Sequence, residues 1–159
     1  NIMQLLIRQR VFSWSDTYDV YDQFENPKYF VKGEVFSLGH VIHIYDRQQR
    51  ELGCIRQRLL TLMPKFELEL NGQFLGEIKK EFTFFRQRYY LEYNGWEIDG
   101  GFLGWDYSVM DGERTVMSIS KELFHWGDTY VLNIADPRDE VLCLMAAIAI
   151  DAANCGNSN

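Results

Sequence analysis

Hydrophobic and polar positions alternate with period two through most of this chain. In "FELEL", Phe66, Leu68 and Leu70 share one face while Glu67 and Glu69 share the other. The alternation also recurs. "IRQRVFSWSDTYDVYD" from Ile7, "VKGEVFSLGHVIHIYD" from Val31, "IRQRLLTLMPKFELELN" from Ile55 and "IKKEFTFFRQRYYLEYN" from Ile78 are versions of one pattern. Weaker copies start at Ile98, where "IDGGFLGWDYSVMD" is shortened, and at Ile119. The openings lie 24, 24, 23, 20 and 21 residues apart. With each opening residue as zero, position four is apolar in all six copies (Val11, Val35, Leu59, Phe82, Phe102, Leu123). So is position eleven (Tyr18, Ile42, Phe66, Tyr89, Val109, Tyr130). Each unit therefore reads as a strand, a short corner and a second strand.

Units meet at Asn71-Gly72, Asn94-Gly95 and Asp111-Gly112, residue pairs that tolerate the positive φ of tight hairpins. "DQFENPK" and "DRQQRE" are longer polar connections in the same places. Six units predict twelve strands, mostly antiparallel. Closing such a meander into a barrel removes its two raw edges. About eight strands already fill a barrel with their own side chains, so twelve leave a hole, and an α-helix about 10 Å across fits it.

The chain supplies that helix. Val141 to Ile150 carry no polar side chain beyond one thiol. Asp136 can cap, Pro137 suits the first helical position, and Asp139 and Glu140 place negative charge at the positive end of the helix dipole. Gly156 is a fitting terminator. A helix from Pro137 to Asn154 would be roughly 27 Å long, at about 1.5 Å per residue. Its unbroken apolar run is about half of the roughly 20 residues a membrane span requires. The expected fold is mainly β: a closed twelve-stranded antiparallel barrel of six two-strand units around a buried hydrophobic C-terminal helix, one domain over residues 3–155. Asn1-Ile2 reads as a cloning remnant and residues 156–159 as a tail.

Composition sharpens this only in part. Aromatics at 15% favour strands. The net charge of -7 argues against a nucleic-acid partner. The charge is uneven: 13 basic and 11 acidic residues up to Arg88, then 3 basic and 12 acidic from Tyr89 onward. Cys54, Cys143 and Cys155 form neither a C-x-x-C pair nor an even set, so a reducing, cytoplasmic setting is the simplest expectation.

The segments "YFVKGEVFSLG", "IHIYD", "PKFELELNGQFLGEIKKEFTFF" and "AIAID" resemble the LURP-one-related family, in the manner of its small bacterial members. The resemblance runs from Met3 to about Ala153. It implies the tubby C-terminal-like fold and kinship both to tubby proteins, which bind phosphoinositides, and to phospholipid scramblases. Its motifs are structural repeats without a catalytic signature. The scramblases' acidic calcium-binding segment and Cys-rich acylation stretch are not matched.

Candidate chemistry is sparse. His40 and His43, three apart on a strand, point to opposite faces, and His125 is distant, so no metal site is expected. Asp99, Asp106, Asp111 and Glu113 fit no EF-hand spacing. "GGFLG", Gly100 to Gly104, precedes no helix and reads as a bend. Cys143 sits inside the apolar helix. No enzyme and no cofactor are expected. Position one of the repeat, however, is basic in four copies: Arg8, Lys32, Arg56 and Lys79. Facing outward, and joined by Arg10, Arg58, Lys80, Arg86 and Arg88, these form a candidate anion-attracting band, of which Arg8, Lys32, Arg56, Arg58, Lys79 and Lys80 are the candidate ligand residues. Two readings stay open. One is a binding module for anionic lipid headgroups or phosphorylated ligands; the other is a protein-interaction or regulatory barrel without a small ligand. Neither involves a transmembrane segment.

Overall fold

The strands follow one another around a ring as six hairpins. They are β1 (Met3–Arg8) and β2 (Thr17–Asp22), β3 (Pro27–Phe36) and β4 (Gly39–Tyr45), and β5 (Glu51–Gln57) and β6 (Lys65–Leu70). Then come β7 (Gln73–Glu81) and β8 (Gln87–Leu91), β9 (Trp96–Gly100) and β10 (Tyr107–Asp111), and β11 (Arg114–Phe124) and β12 (Gly127–Ile134). The computed structural model describes residues 3–9, 13–36, 39–84, 86–100 and 106–155. Each strand pairs antiparallel with the next, and β12 returns to β1 with Met3 opposite Ile134 and Arg8 opposite Thr129, closing the barrel. The expected six two-strand units are the observed hairpins. Val11, Phe102, Arg10 and Gly156 lie outside the described residues.

The turns between units follow the local chemistry. Asn71 (φ 51°) and Gly72 (φ 80°) make a two-residue turn with both centres left-handed, and Gly95 and Gly112 also have positive φ. The longer connections are two copies of one device. Asp22 Oδ1 accepts from the backbone N–H groups of Phe24 and Asn26, and Asp46 Oδ1 accepts from those of Gln48 and Arg50.

All these turns gather at one end of the barrel, called here the hairpin end. The corners within units gather at the other, the corner end. The last element enters at the hairpin end. Asp136 accepts from Arg138 N at 2.9 Å and caps a 3₁₀ turn, Pro137–Asp139, which leads into α1 (Glu140–Cys155). The regular helix thus starts three residues later than the expected Pro137, because i→i+3 bonds tighten its first turn. Every residue from Leu142 to Ile150 is at most 9% exposed, so the helix is wrapped on all sides. Two polar anchors hold its ends. Glu140, almost fully buried, accepts from Lys28 Nζ at 3.0 Å and from the Tyr29 hydroxyl. Asn154 accepts from the Tyr89 hydroxyl at 2.7 Å and donates to Tyr107.

Burial of ionisable groups makes stability pH-dependent on the alkaline side. Desolvation, reinforced by Glu140, pushes the Tyr29 hydroxyl far above its ordinary 10.0, and desolvation pushes the Cys54 thiol from 9.0 to about 11. Cys143 moves the same way, through burial in the helix. A raised folded pKa means that stability is fully present below the unfolded value and falls as pH rises past it. The thermal midpoint is therefore expected to decline as pH rises from 9 to 11, with Cys54 alone costing about 2 kcal/mol by the upper limit. Melting curves across that range check this, and Tyr29→Phe should flatten the part above pH 10.

Candidate functional site

The repeat encodes layers by depth at the corner end. Position zero (Ile7, Val31, Ile55, Ile78, Ile98, Ile119) is an apolar ring buried against the helix. Two residues further along the same face, position two is Gln9, Gly33, Gln57, Lys80, Gly100 and Lys121, a ring without an apolar side chain. Two further still is position four, which was read as part of the same apolar face. Its described members, Val35, Leu59, Phe82 and Leu123, are exposed because they stand beyond the end of the helix that would cover them.

Corner residues extend this lip. Leu60 and Leu62 are 106% and 101% exposed, and Phe84 stands edge-to-face with Phe82 at 5.2 Å. Leu60 has φ 60°, a strained value for a branched side chain, so the backbone itself holds it outward. Beneath the lip, between the β5–β6 corner and the helix end, lies a pocket of about 260 Å³. Its lining carries three cations, Arg58, Lys65 and Lys80, and no carboxylate. Lys80 lies 5.9 Å from the centroid of the Tyr89 ring and has no ion-pair partner among the described residues. Its removal from water lowers its pKa. The Oε1 atom of Gln57, in the same lining, is buried without a donor among the described residues.

The position-one row faces outward as its parity requires, but nearby carboxylates neutralise Lys32, Arg56 and Lys79. Lys32 lies 3.8 Å from Glu34 and Arg56 3.6 Å from Glu69. Lys79 is 2.8 Å from Glu92, a pairing that raises the lysine's pKa and lowers the glutamate's. Arg58 lies 2.7 Å from Glu67 and 3.6 Å from Glu77, and both hold its guanidinium protonated. Arg88 sits between Asp99 at 3.1 Å and Glu97 at 3.6 Å. Arg8 is on the other side of the ring, over the Trp126 ring at 5.4 Å. Of the six candidate ligand residues, only Arg58 and Lys80 share a pocket. The partner Lys65 was not singled out in the sequence, since it belongs to the second strand of its unit.

The acidic zone does not converge. Asp99 pairs with Arg88 near the corner end, whereas Asp111 pairs with Arg114 at 3.2 Å in a hairpin turn. Gly100 is a packing glycine: a Cβ there would lie 2.4 Å from the Tyr107 ring. His40 faces inward, stacked on Trp14 with centroids 4.6 Å apart, and His43 faces outward. Among the described residues no helix is long and apolar enough to cross a membrane.

Comparison with known proteins agrees with this architecture. An X-ray structure of an Arabidopsis thaliana protein superposes with a TM-score of 0.63 at 15% identity, covering 95% of this chain and 91% of that one, a likeness of fold. The uncharacterized protein YxjI of Bacillus subtilis (strain 168) is 34% identical over 150 residues, 94% of this chain and 93% of that protein. The model of the LURP-one-related family matches residues 3–151. Matched over nearly its whole length, the chain belongs to the LURP-one-related family.

Proposed function

We propose that the protein is a non-enzymatic binding module that docks its corner end on an anionic lipid surface. The observation that carries this reading is the exposed apolar lip formed by Val35, Leu59, Leu60, Leu62, Phe82, Phe84 and Leu123 on one rim. Apolar patches of this kind mark interaction sites on soluble domains. The cationic pocket behind the lip favours a surface that is apolar in depth and negative at its headgroups, which is the chemistry of an interfacial anchor. The position-one row on the wall contributes little, because Lys32, Arg56 and Lys79 already have carboxylates beside them.

The test is co-sedimentation with vesicles of phosphatidylcholine and phosphatidylserine at low and at high salt. Wild-type protein should sediment, and binding should weaken with salt. Burying one fully exposed Leu contributes roughly 1.5–3 kcal/mol. The double variant Leu60→Glu/Leu62→Glu should therefore bind at least about 100-fold more weakly, with an unchanged melting curve. Lys65→Gln/Lys80→Gln should lose the salt-sensitive part. Absence of wild-type sedimentation at low salt would overturn the reading and leave a protein partner as the occupant of the lip.

A further inference from the structure

On the opposite face of the sheet, away from the lip, a second cluster draws its members from a single hairpin. His43 of β4 and Cys54 of β5 stand directly opposite each other in the ladder, and both side chains lie on the outside of the barrel. Plain alternation would turn Glu51 inward, since it is two residues from the inward-facing Gly53. The register, however, shifts between Ile44 and Tyr45, so that Ile44 pairs with Gly53 and Tyr45 with Glu51. Leu52 becomes the extra residue of a bulge, and Glu51 is re-aimed to the outside, against His43. Bulges of this sort commonly serve to place a side chain at a site.

We propose that His43, Glu51 and Cys54 form a binding site for a divalent transition-metal ion of Zn²⁺ type, with Glu34 as the outer carboxylate of the histidine. One donor atom from each of the three lies within 4.8 Å of the others. Around a tetrahedral zinc, donors at about 2.0–2.3 Å from the metal lie roughly 3.3–3.8 Å apart. The His43 Nδ1–Glu51 contact is already tighter than that and has to open to admit the ion, while the donors of the three residues all lie within 4.8 Å. Glu51 can supply that movement because its side chain is 47% exposed, whereas Cys54, 4% exposed, stays fixed beneath it.

The donor set of one thiolate, one imidazole and one carboxylate suits a borderline-soft cation and is a poor match for Ca²⁺ or Mg²⁺, which take oxygen ligands. The other nitrogen of the ring completes the pattern. His43 Nδ1 faces Glu51, while Nε2 is buried without a well-formed hydrogen bond and lies 3.5 Å from Glu34 Oε2. Metal on Nδ1 would leave the Nε2 proton for Glu34, the carboxylate–histidine–metal arrangement that orients a ligating ring. Two carboxylates, Glu34 on β3 and Glu51 on β5, flank the ring from either side. On binding, the thiol proton is released to solvent and a sulfur–metal bond forms, with no change of oxidation state.

Cobalt(II) titrated into the chelator-treated full chain tests the assignment. Wild-type protein at micromolar concentration should develop the near-ultraviolet thiolate-to-cobalt absorption, which Zn²⁺ should displace. Cys54→Ser should abolish that absorption. Glu34→Gln should weaken binding by roughly 10–100-fold with an unchanged circular dichroism spectrum. Glu51→Gln, at a half-exposed position, should weaken it as well, with an unchanged circular dichroism spectrum. The proposal fails if wild-type protein shows no such absorption with excess cobalt, or if the absorption persists in Cys54→Ser. Vesicle binding is read separately at the other surface, so the two results are independent.

Discussion

A Leu144→Asp variant is expected to yield no folded protein. Leu144 is fully buried in the first half of α1, and its neighbours Cys143, Met145 and Ala146 are equally enclosed. Truncating such a leucine costs about 2–5 kcal/mol before any charge is considered. A carboxylate placed there has no cationic partner, and leaving a buried charge uncompensated costs several kcal/mol more, whether the group stays ionised or takes up a proton. Together these reach the whole stability of an ordinary domain, about 5–15 kcal/mol. The barrel offers no relief, since twelve strands cannot contract onto an empty lumen without changing their number or tilt. Circular dichroism and gel filtration of Leu144→Asp beside Leu144→Met decide the matter. The methionine variant should behave as wild type, and a soluble aspartate variant with an unchanged melting curve would show that α1 is not enclosed.

Gly33→Ala should lower the thermal midpoint by roughly 10 °C, which corresponds to about 3–5 kcal/mol at 2–4 °C per kcal/mol. A Cβ on Gly33 would sit 1.9 Å from the Trp14 carbonyl oxygen and 2.8 Å from its carbon. Both are backbone atoms, and the loop cannot simply slide, because Gly33 N donates to Asp16 O at 2.8 Å. The remaining response is to unseat Trp14. That indole is 6% exposed, stacks on His40 and packs against Phe66 at 6.1 Å, so displacing it uncovers the core at the corner end. The loss is then comparable to a large-to-small change at a buried tryptophan. Gly72→Ala is the matching control: nothing lies within 4 Å of its Cβ, and only its φ of +80° is disfavoured, a cost of about 1 kcal/mol. Equal midpoints for the two variants would mean that conformation, not the Trp14 carbonyl, is what Gly33 protects.

How far the chain could be read in advance depended on whether the relevant physics is local. Strand alternation, the Asn71-Gly72 turn, the paired Asp22 and Asp46 connections and the apolar run of α1 are settled within a few residues, and all were legible. Parity also placed Arg56 and Lys79 correctly on the outer face. Parity says nothing of depth, however, and so Leu59 and Phe82 were grouped with Ile55 and Ile78 although only the latter reach the helix. Nor does it say what lies across the ladder. Glu69 beside Arg56 and Cys54 beside His43 follow from register between strands, and Glu51 joins His43 only because Leu52 is bulged out. A pattern of single residues does not contain that information, whereas pairing of the hairpins does.

The closure of the ring has a consequence for how the protein comes off the ribosome. Among the described residues β1 makes six ladder pairs with β12 and two with β2, so this strand of the barrel lacks most of its pairing until β12 emerges. The helix that fills the lumen follows later still. Until then the nascent chain is an open sheet whose inner face, Ile55, Leu68, Ile78, Leu91 and Ile98 among others, lacks its cover. Contacts spanning most of the chain must form together in one late step, which makes folding slow and leaves a long window for association with other chains. A cell making this protein in quantity would therefore need its holding chaperones at the sheet stage, before the barrel exists.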